Sequence, residues 1–436
     1  MRYSSQHKLR ATIAAAAACL ALVLAGCSST SSSSDKTSGS TIQVVWTSPA
    51  PPQSALDSFK KETGITVKWS QLDWDSIQTK ITTSATAGTY YADVSYVDWS
   101  RVGQFEQLGW FDKLEDYMNT KALAKDMPQL SSFTSNGHVI GVPYETSFNV
   151  TVVNNDLFKK AGITTSPTTM SQYTSDLHQI KDKGVVEYPL DIPFAASEGL
   201  STYWYQATTA FGGEILNKKG EPQFASANSA GRKAAEWMID SLKSGLVPPG
   251  NINATDSVGI DLMAKGQVAS IFSDYSGDVG TVYDVPSSSS VTGQVSYLPT
   301  PGVDGVAGNV ATPAAMGIPS KAKYPKAAAK FIQWMLSSKN QADFAGASGP
   351  DKVMASRGIP SRQSSLDEVK GTIAGGDQIS AMLKTSVPVF PGGAPVWYPE
   401  FSRAVYTNLH SAATGSITAD QAVDAIVAKA KELAKG

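Results

Sequence analysis

Apolar positions alternate over Ile42-Gln43-Val44-Val45-Trp46, which predicts a short strand. Pro49, Pro51 and Pro52 then break the chain, and Ala55, Leu56 and Phe59 recur at helical spacing until Gly64 stops the helix. Ile65, Val67 and Trp69 alternate as a second strand. Ile77, Ile81 and Ala85 mark a second helix ended by Gly88, and Asp93-Val94-Ser95-Tyr96-Val97 reads as a third strand. Strand–helix–strand–helix–strand at this spacing predicts an α/β fold with a parallel, doubly wound sheet. In such sheets a ligand lies beyond the carboxyl ends of the strands. Those ends are Trp46–Pro49, Leu72–Asp75 and Asp98-Trp99.

The middle and end of the chain are more helical. Ala234, Trp237, Met238 and Leu242 share one face before Gly245, and Ala328, Phe331, Ile332 and Met335 repeat the pattern. Near the C-terminus, Thr418 with Gln421 has the spacing of a capping box, ahead of an apolar stripe of Val423, Ile426, Val427, Ala430 and Leu433.

Composition narrows the class. With 436 residues, 42% hydrophobic and 17% charged, the chain has ample material for a buried core. The formal net charge is −2, and Arg2, Lys8 and Arg10 lie in the first ten positions, so the remainder is more acidic still. No later basic block exists, which argues against nucleic-acid binding.

The N-terminus reads as a targeting segment. A basic start precedes an apolar run from Ala11 to Ala25, short for a membrane span, which needs roughly 20 apolar residues. The run ends Leu24-Ala25-Gly26-Cys27, which resembles the lipobox of bacterial lipoproteins. Residues 1–26 are therefore expected to be a signal peptide, with Cys27 lipidated. Cys19 is the only other cysteine and lies inside the leader, so the mature chain has neither disulfide nor cysteine metal site. Residues 27–40, nearly all Ser, Thr and Gly after Cys27, read as a flexible tether.

Five segments, taken in order, carry a resemblance. They are Ala92-Asp93-Val94 ahead of Asp98; Gly141-Val142-Pro143-Tyr144-Glu145 ahead of Val153-Asn154-Asn155-Asp156-Leu157-Phe158; Phe211-Gly212-Gly213-Glu214; Leu262 to Ala269; and Pro395-Val396-Trp397-Tyr398. Together they resemble the family 1 extracellular solute-binding proteins of ATP-driven importers, the group that includes maltose-binding protein. The resemblance implies a two-lobe periplasmic-binding-protein fold with an interlobe cleft and three hinge crossings, near Tyr144-Glu145, Leu298-Pro299 and Arg357–Pro360. Lobe one would comprise 41–144 plus 299–358, and lobe two 145–298 plus 359–436. It further implies capture of a sugar or oligosaccharide and delivery to the transmembrane subunits of an ABC permease. The protein would be a monomer, lipid-anchored on the outer face of the cytoplasmic membrane, with no enzymatic activity and no cofactor.

A sugar site needs aromatic platforms beside carboxylates and amides. Trp237 and Trp334 sit in helical apolar stripes and read as core, and Trp69 and Trp110 read as core or lobe surface. Trp46, Trp74 and Trp99 lie at or just past strand ends, where core and cleft are both open. The resemblance places Trp204, Tyr275 and Trp397 on one cleft wall of lobe two, with Tyr398 beside Trp397. It makes Glu145, after Tyr144, an acidic sugar ligand. Asp98 ends a strand at the crevice, and Asp274 precedes Tyr275. Ala311-Thr312-Pro313-Ala314-Ala315 stands where many sugar binders of the family carry an aromatic, a departure expected to enlarge the cleft or change the sugar class.

Other chemistries lack parts. His138, His178 and His410 have no metal-ligand spacing, and there is no Gly-x-Ser-x-Gly elbow or phosphate loop. Tyr90-Tyr91 is similar to the tyrosine pairs of ferric-ion binders, but precedes a lobe-one strand. Two other readings stand. One is a polyamine binder caged by Asp98, Glu145 and Asp274, and the other a secreted carbohydrate-active enzyme, whose paired carboxylates would be a tertiary feature.

Overall fold

The structure, a computed structural model, describes residues 37–345, 359–391 and 393–435. The leader, Cys27 and most of the Ser-rich stretch lie outside the described residues. In chain order the elements that frame the cleft begin with β1 (Thr41–Trp46), α1 (Gln53–Thr63), β2 (Thr66–Gln71), α2 (Trp74–Thr86), β3 (Val94–Asp98) and α3 (Val102–Gln107). They continue with β4 (Val142–Pro143), β5 (Glu145–Thr146), β6 (Asn149–Asn154), β7 (Leu190–Asp191), α4 (Glu198–Ala210) and α5 (Ala230–Lys243). The last are β8 (Ser270–Tyr275), β9 (Val295–Leu298), β10 (Ala314–Gly317), α6 (Pro325–Met335), β11 (Ile359–Pro360), α7 (Tyr398–Ala413) and α8 (Ala419–Leu433).

Local chemistry sets these elements. In α1, Leu56, Phe59 and Thr63 fall on one buried face, and Gly64 ends the helix at φ 74°, a left-handed conformation that glycine adopts without a Cβ penalty. In α8 the Thr418 hydroxyl accepts from the Gln421 amide while the Gln421 side chain accepts from the Thr418 amide, the reciprocal capping box read from the sequence.

Most of these strands fall in two main sheets. The first has the order β2-β1-β3-β10-β4 and the second β9-β6-β8-β7. In the first, β1 pairs in parallel with β2 and β3, as the strand–helix alternation predicts. β10 and β4 then add antiparallel strands. In the second, β6 is antiparallel to both β9 and β8, and only β8 and β7 run parallel. The fully parallel expectation is thus corrected to two mixed sheets. The physical reason is connectivity: β10 returns to the first sheet from the other lobe rather than through a crossover helix, and β4 pairs only with it, at the edge of the sheet.

Three segments pass between the sheets side by side. The chain leaves the first sheet after Pro143 and enters the second at Asn149. β11 returns antiparallel to β5, pairing Ile359 with Thr146 and Pro360 with Glu145; Arg357 and Gly358, also expected at this crossing, lie outside the described residues. The remaining crossing falls near 311–314, not at Leu298-Pro299. The intervening stretch stays on the second lobe: Gly302 bonds with Thr168 and Met170, and Gln206 of α4 holds Thr300 and the Val310 amide. Gln341 and Ser361 tie the hinge together through the carbonyls of Tyr144 and Pro143, at 3.1 and 2.7 Å.

Each lobe packs helices on its sheet. Phe59 of α1 meets Phe331 and Trp334 at 5.4 and 4.9 Å, and Trp237 of α5 lies 4.7 Å from Phe272, so both tryptophans, half-buried, pack against the core as expected. Among the described residues no helix is long and apolar enough to cross a membrane.

Candidate functional site

The site starts at the end of β3. Asp98 accepts from the Ser100 amide (2.9 Å) and hydroxyl with one oxygen, and from the Trp74 indole N–H with the other, at 3.0 Å. One carboxylate thus caps the turn after the strand and fixes an aromatic ring from α2. Asp73, the N-cap of α2, sets where that ring begins by accepting from the Ser76 amide.

The turn that Asp98 caps delivers Arg101. Its guanidinium lies 5.7 Å from the Trp74 ring centroid and 5.5 Å from that of Tyr398, and its Nη1 is buried with no hydrogen-bond partner. Tyr398 opens α7 and donates to Glu198 in the first turn of α4, and Ser402 donates to the same carboxylate at 2.8 Å. Desolvation raises the Glu198 carboxyl despite the nearby Arg101 charge and these donors. Trp99 packs against Tyr398 at 5.5 Å and Phe390 at 6.0 Å. Residues of the two lobes are therefore in contact across the cleft.

A second group lies toward the hinge. Trp46 is wedged between Tyr96 and Tyr144, each at 4.9 Å, and is 1% exposed. Desolvation raises the Glu145 carboxyl to about 7. On the second lobe, Asp274 accepts from the Tyr275 amide at 2.9 Å and the Tyr283 hydroxyl at 2.7 Å, and the Tyr275 hydroxyl donates to Asp256 at 2.8 Å. Asp191 accepts from Asn251 at 2.7 Å, and desolvation lifts its carboxyl to about 7. Asp278 stands against Asp274; desolvation, then the Asp274 charge, pushes it well above the carboxylate range, with Glu145 adding to the shift.

Of the residues singled out in the sequence, Trp74 and Tyr398 flank Arg101, with Asp98 bonded to Trp74 and Trp99 packed on Tyr398, while Tyr144, Glu145, Asp274 and Tyr275 lie in the hinge-side group. Trp46 backs Tyr96 and Tyr144 rather than lining the cleft. A further assignment is corrected. Trp204 is fully buried in α4, with its indole donating to the Gly231 carbonyl at 2.8 Å and its ring edge-on to Phe224 at 5.0 Å, so it is core. Trp397 is half-exposed ahead of α7 and packs edge-on against Phe401 at 5.8 Å, while its neighbour Tyr398 is the ring that meets Arg101 and Trp99 of the first lobe.

Arg101 and Glu198 went unread in the sequence. The signal for Arg101 was a lone cation three residues past a strand end, overlooked in a search for rings. Glu198 lies in the turn that begins the helix carrying Tyr203-Trp204-Tyr205, where a carboxylate is favoured by the helix dipole.

Comparison with known proteins adds a framework. The model of the bacterial extracellular solute-binding protein family matches residues 34–342. A protein of Brucella abortus (strain 2308) described as a binding protein is 30% identical over 206 residues, 47% of this chain and 49% of that protein. The chain thus matches about half the length of that curated relative. Among solved structures, maltose-bound T. maritima MalE3 has a TM-score of 0.78 at 19% identity, covering 90% of this chain and 100% of that one. A solute-binding protein of an ABC transporter from Agrobacterium radiobacter K84, in complex with ribitol, has a TM-score of 0.78 at 22% identity, covering 91% and 99%. One from Thermotoga lettingae TMO bound with α-D-tagatose has 0.77 at 19% identity, covering 91% and 100%. At these identities the likeness is one of fold: two lobes, each with its own mixed sheet.

Proposed function

The chain belongs to the bacterial extracellular solute-binding protein family, and on that premise we propose that it captures a sugar or small polyol between its lobes and delivers it to an ABC permease. The observation that carries this reading is the buried, unpartnered Nη1 of Arg101, set among the carboxylates of Asp98 and Glu198 and the rings of Trp74 and Tyr398. A hydroxyl both accepts and donates, so a polyol can accept a hydrogen bond from Arg101 while donating one to a carboxylate. The rings cover C–H faces that such a solute also presents. An anion would meet the carboxylates unfavourably, and an ammonium would leave the arginine donor unpaired. Maltose, ribitol and tagatose in the fold neighbours agree with this class.

The hinge-side carboxyls Glu145, Asp274 and Asp278 favour a second reading, a polyamine. A thermal-shift screen over neutral sugars, polyols and polyamines separates the two. A solute at 100 times its Kd adds about 2.7 kcal/mol to stability. Polyamine binding would weaken strongly with added salt, whereas that of a neutral sugar would be nearly indifferent.

The anchoring reading rests on Leu24-Ala25-Gly26-Cys27 and the Ser-rich stretch after it. Cleavage after Gly26 with diacylglycerol on Cys27 would hold the binding lobes near the permease on the outer face of the cytoplasmic membrane. Lobe one would comprise about 41–144 plus 314–358, and lobe two the rest of the folded chain. Intact-mass measurement of membrane-extracted protein should show lipid on Cys27, and its absence would remove the anchor from the proposal.

A further inference from the structure

Gly103, the second residue of α3, is buried. Its φ is not left-handed, so conformational freedom does not account for a glycine there. Inside a helix glycine is less favourable than alanine. What alanine could not tolerate comes from the other lobe. A Cβ on residue 103 would stand 2.1 Å from the Ala394 carbonyl oxygen and 3.2 Å from backbone atoms of Pro395 and Val396. Backbone just ahead of α7 cannot swing aside as the tip of a side chain can. The same short stretch of the first lobe carries Trp99 and Arg101, each 5.5 Å from the Tyr398 ring. The solute-facing residues and the glycine are thus presented together to one edge of the second lobe.

We propose that Gly103 sets the affinity of the cleft without touching the solute, as the seat on which the backbone of residues 394–396 lands when the lobes close. The inference rests on reading the cleft as a sugar site. Closure on this seat seals the α3 end of the cleft, and the solute leaves once the seat is vacated. An open form lacks the contact and is indifferent to a methyl group at 103. A side chain there therefore acts on the closed state alone, lowering the fraction of binding-competent protein and speeding release.

The test compares the parent with Gly103→Ala and with Gly250→Ala, a control whose Cβ would meet nothing within 4 Å. The probe is whichever of D-glucose, maltose, ribitol, D-mannitol and D-tagatose raises the parent's Tm most. For Gly103→Ala the expected result is an unchanged ligand-free Tm, a Kd at least about tenfold weaker and faster dissociation; the control should match the parent. Equal Kd for Gly103→Ala and parent would overturn the seat and leave the sugar site standing. A Gly103→Ala protein that melts far below the parent without solute, or does not fold, would mark the contact as permanent packing and also overturn the inference. If no probe binds the parent, the sugar reading itself fails and the inference falls with it.

Discussion

On the proposed sugar reading, the cleft chemistry turns on Arg101. An unsatisfied buried donor costs about 1–3 kcal/mol, and a bound oxygen that accepts from it recovers that cost only while the solute is present. Arg101→Met keeps the aliphatic bulk between Trp74 and Tyr398 but removes the donor. We expect sugar affinity to fall at least about thirtyfold, by the usual magnitude of about 2 kcal/mol for a buried anchor, with ligand-free melting close to the parent's. Calorimetric titration checks this, and undiminished affinity would place the sugar elsewhere. Trp204 should behave in the opposite way. Removing its indole from between Gly231 and Phe224 should cost about 3–5 kcal/mol of folding, seen as a large drop in Tm, while protein that folds still binds. Normal stability for Trp204→Ala would contradict its place in the core. The sequence could not separate these roles. Trp204 and Tyr398 both sit in aromatic-rich stretches and both are fully buried, and only packing tells that Trp204 is enclosed by its own lobe whereas Tyr398 meets the opposite one.

Among elements, the hinge strand β5 and the edge strand β7 of the second sheet each carry an acid raised by desolvation. Glu145 rises from 4.5 and Asp191 from 3.8, each to about 7, through desolvation. Between the unfolded and folded values the native protein holds more protons than the unfolded chain, so stability falls as pH rises through that window. The stabilising contribution is complete below about pH 4 and is lost by about pH 7. Asp126 and Glu115, lowered by their hydrogen bonds and charge partners despite desolvation, have the opposite sign and act on the acid side of their ordinary values. We therefore expect the ligand-free Tm to decline from about pH 5 to about pH 7.5, and Asp191→Asn to flatten that decline. A level or rising Tm for the parent over this range would contradict the burial of these groups. The long elements were legible from periodicity, and the α8 capping box residue by residue. The two-residue strands β4, β5, β7 and β11 were not, because so short a run has no period and exists only through its partner strand.

At the scale of the molecule, the two-lobe plan was legible through the order of five weak motifs, and the strand–helix alternation gave the parallel half of the first sheet. The later crossing escaped, because the stretch from Thr300 to Val310 is pinned to α4 by Gln206, a contact over about a hundred residues that no local pattern signals. Three adjacent hinge segments, and first-lobe residues that meet α7 only across the cleft, support the proposal that the molecule closes on its solute. Small-angle scattering of the lipid-free protein, with and without the sugar that most raises its Tm, measures this directly. The expected result is a radius of gyration that decreases on addition of the sugar and saturates at the same concentration as binding. An unchanged radius at saturation would mean a rigid pocket and would contradict capture by closure of the two lobes.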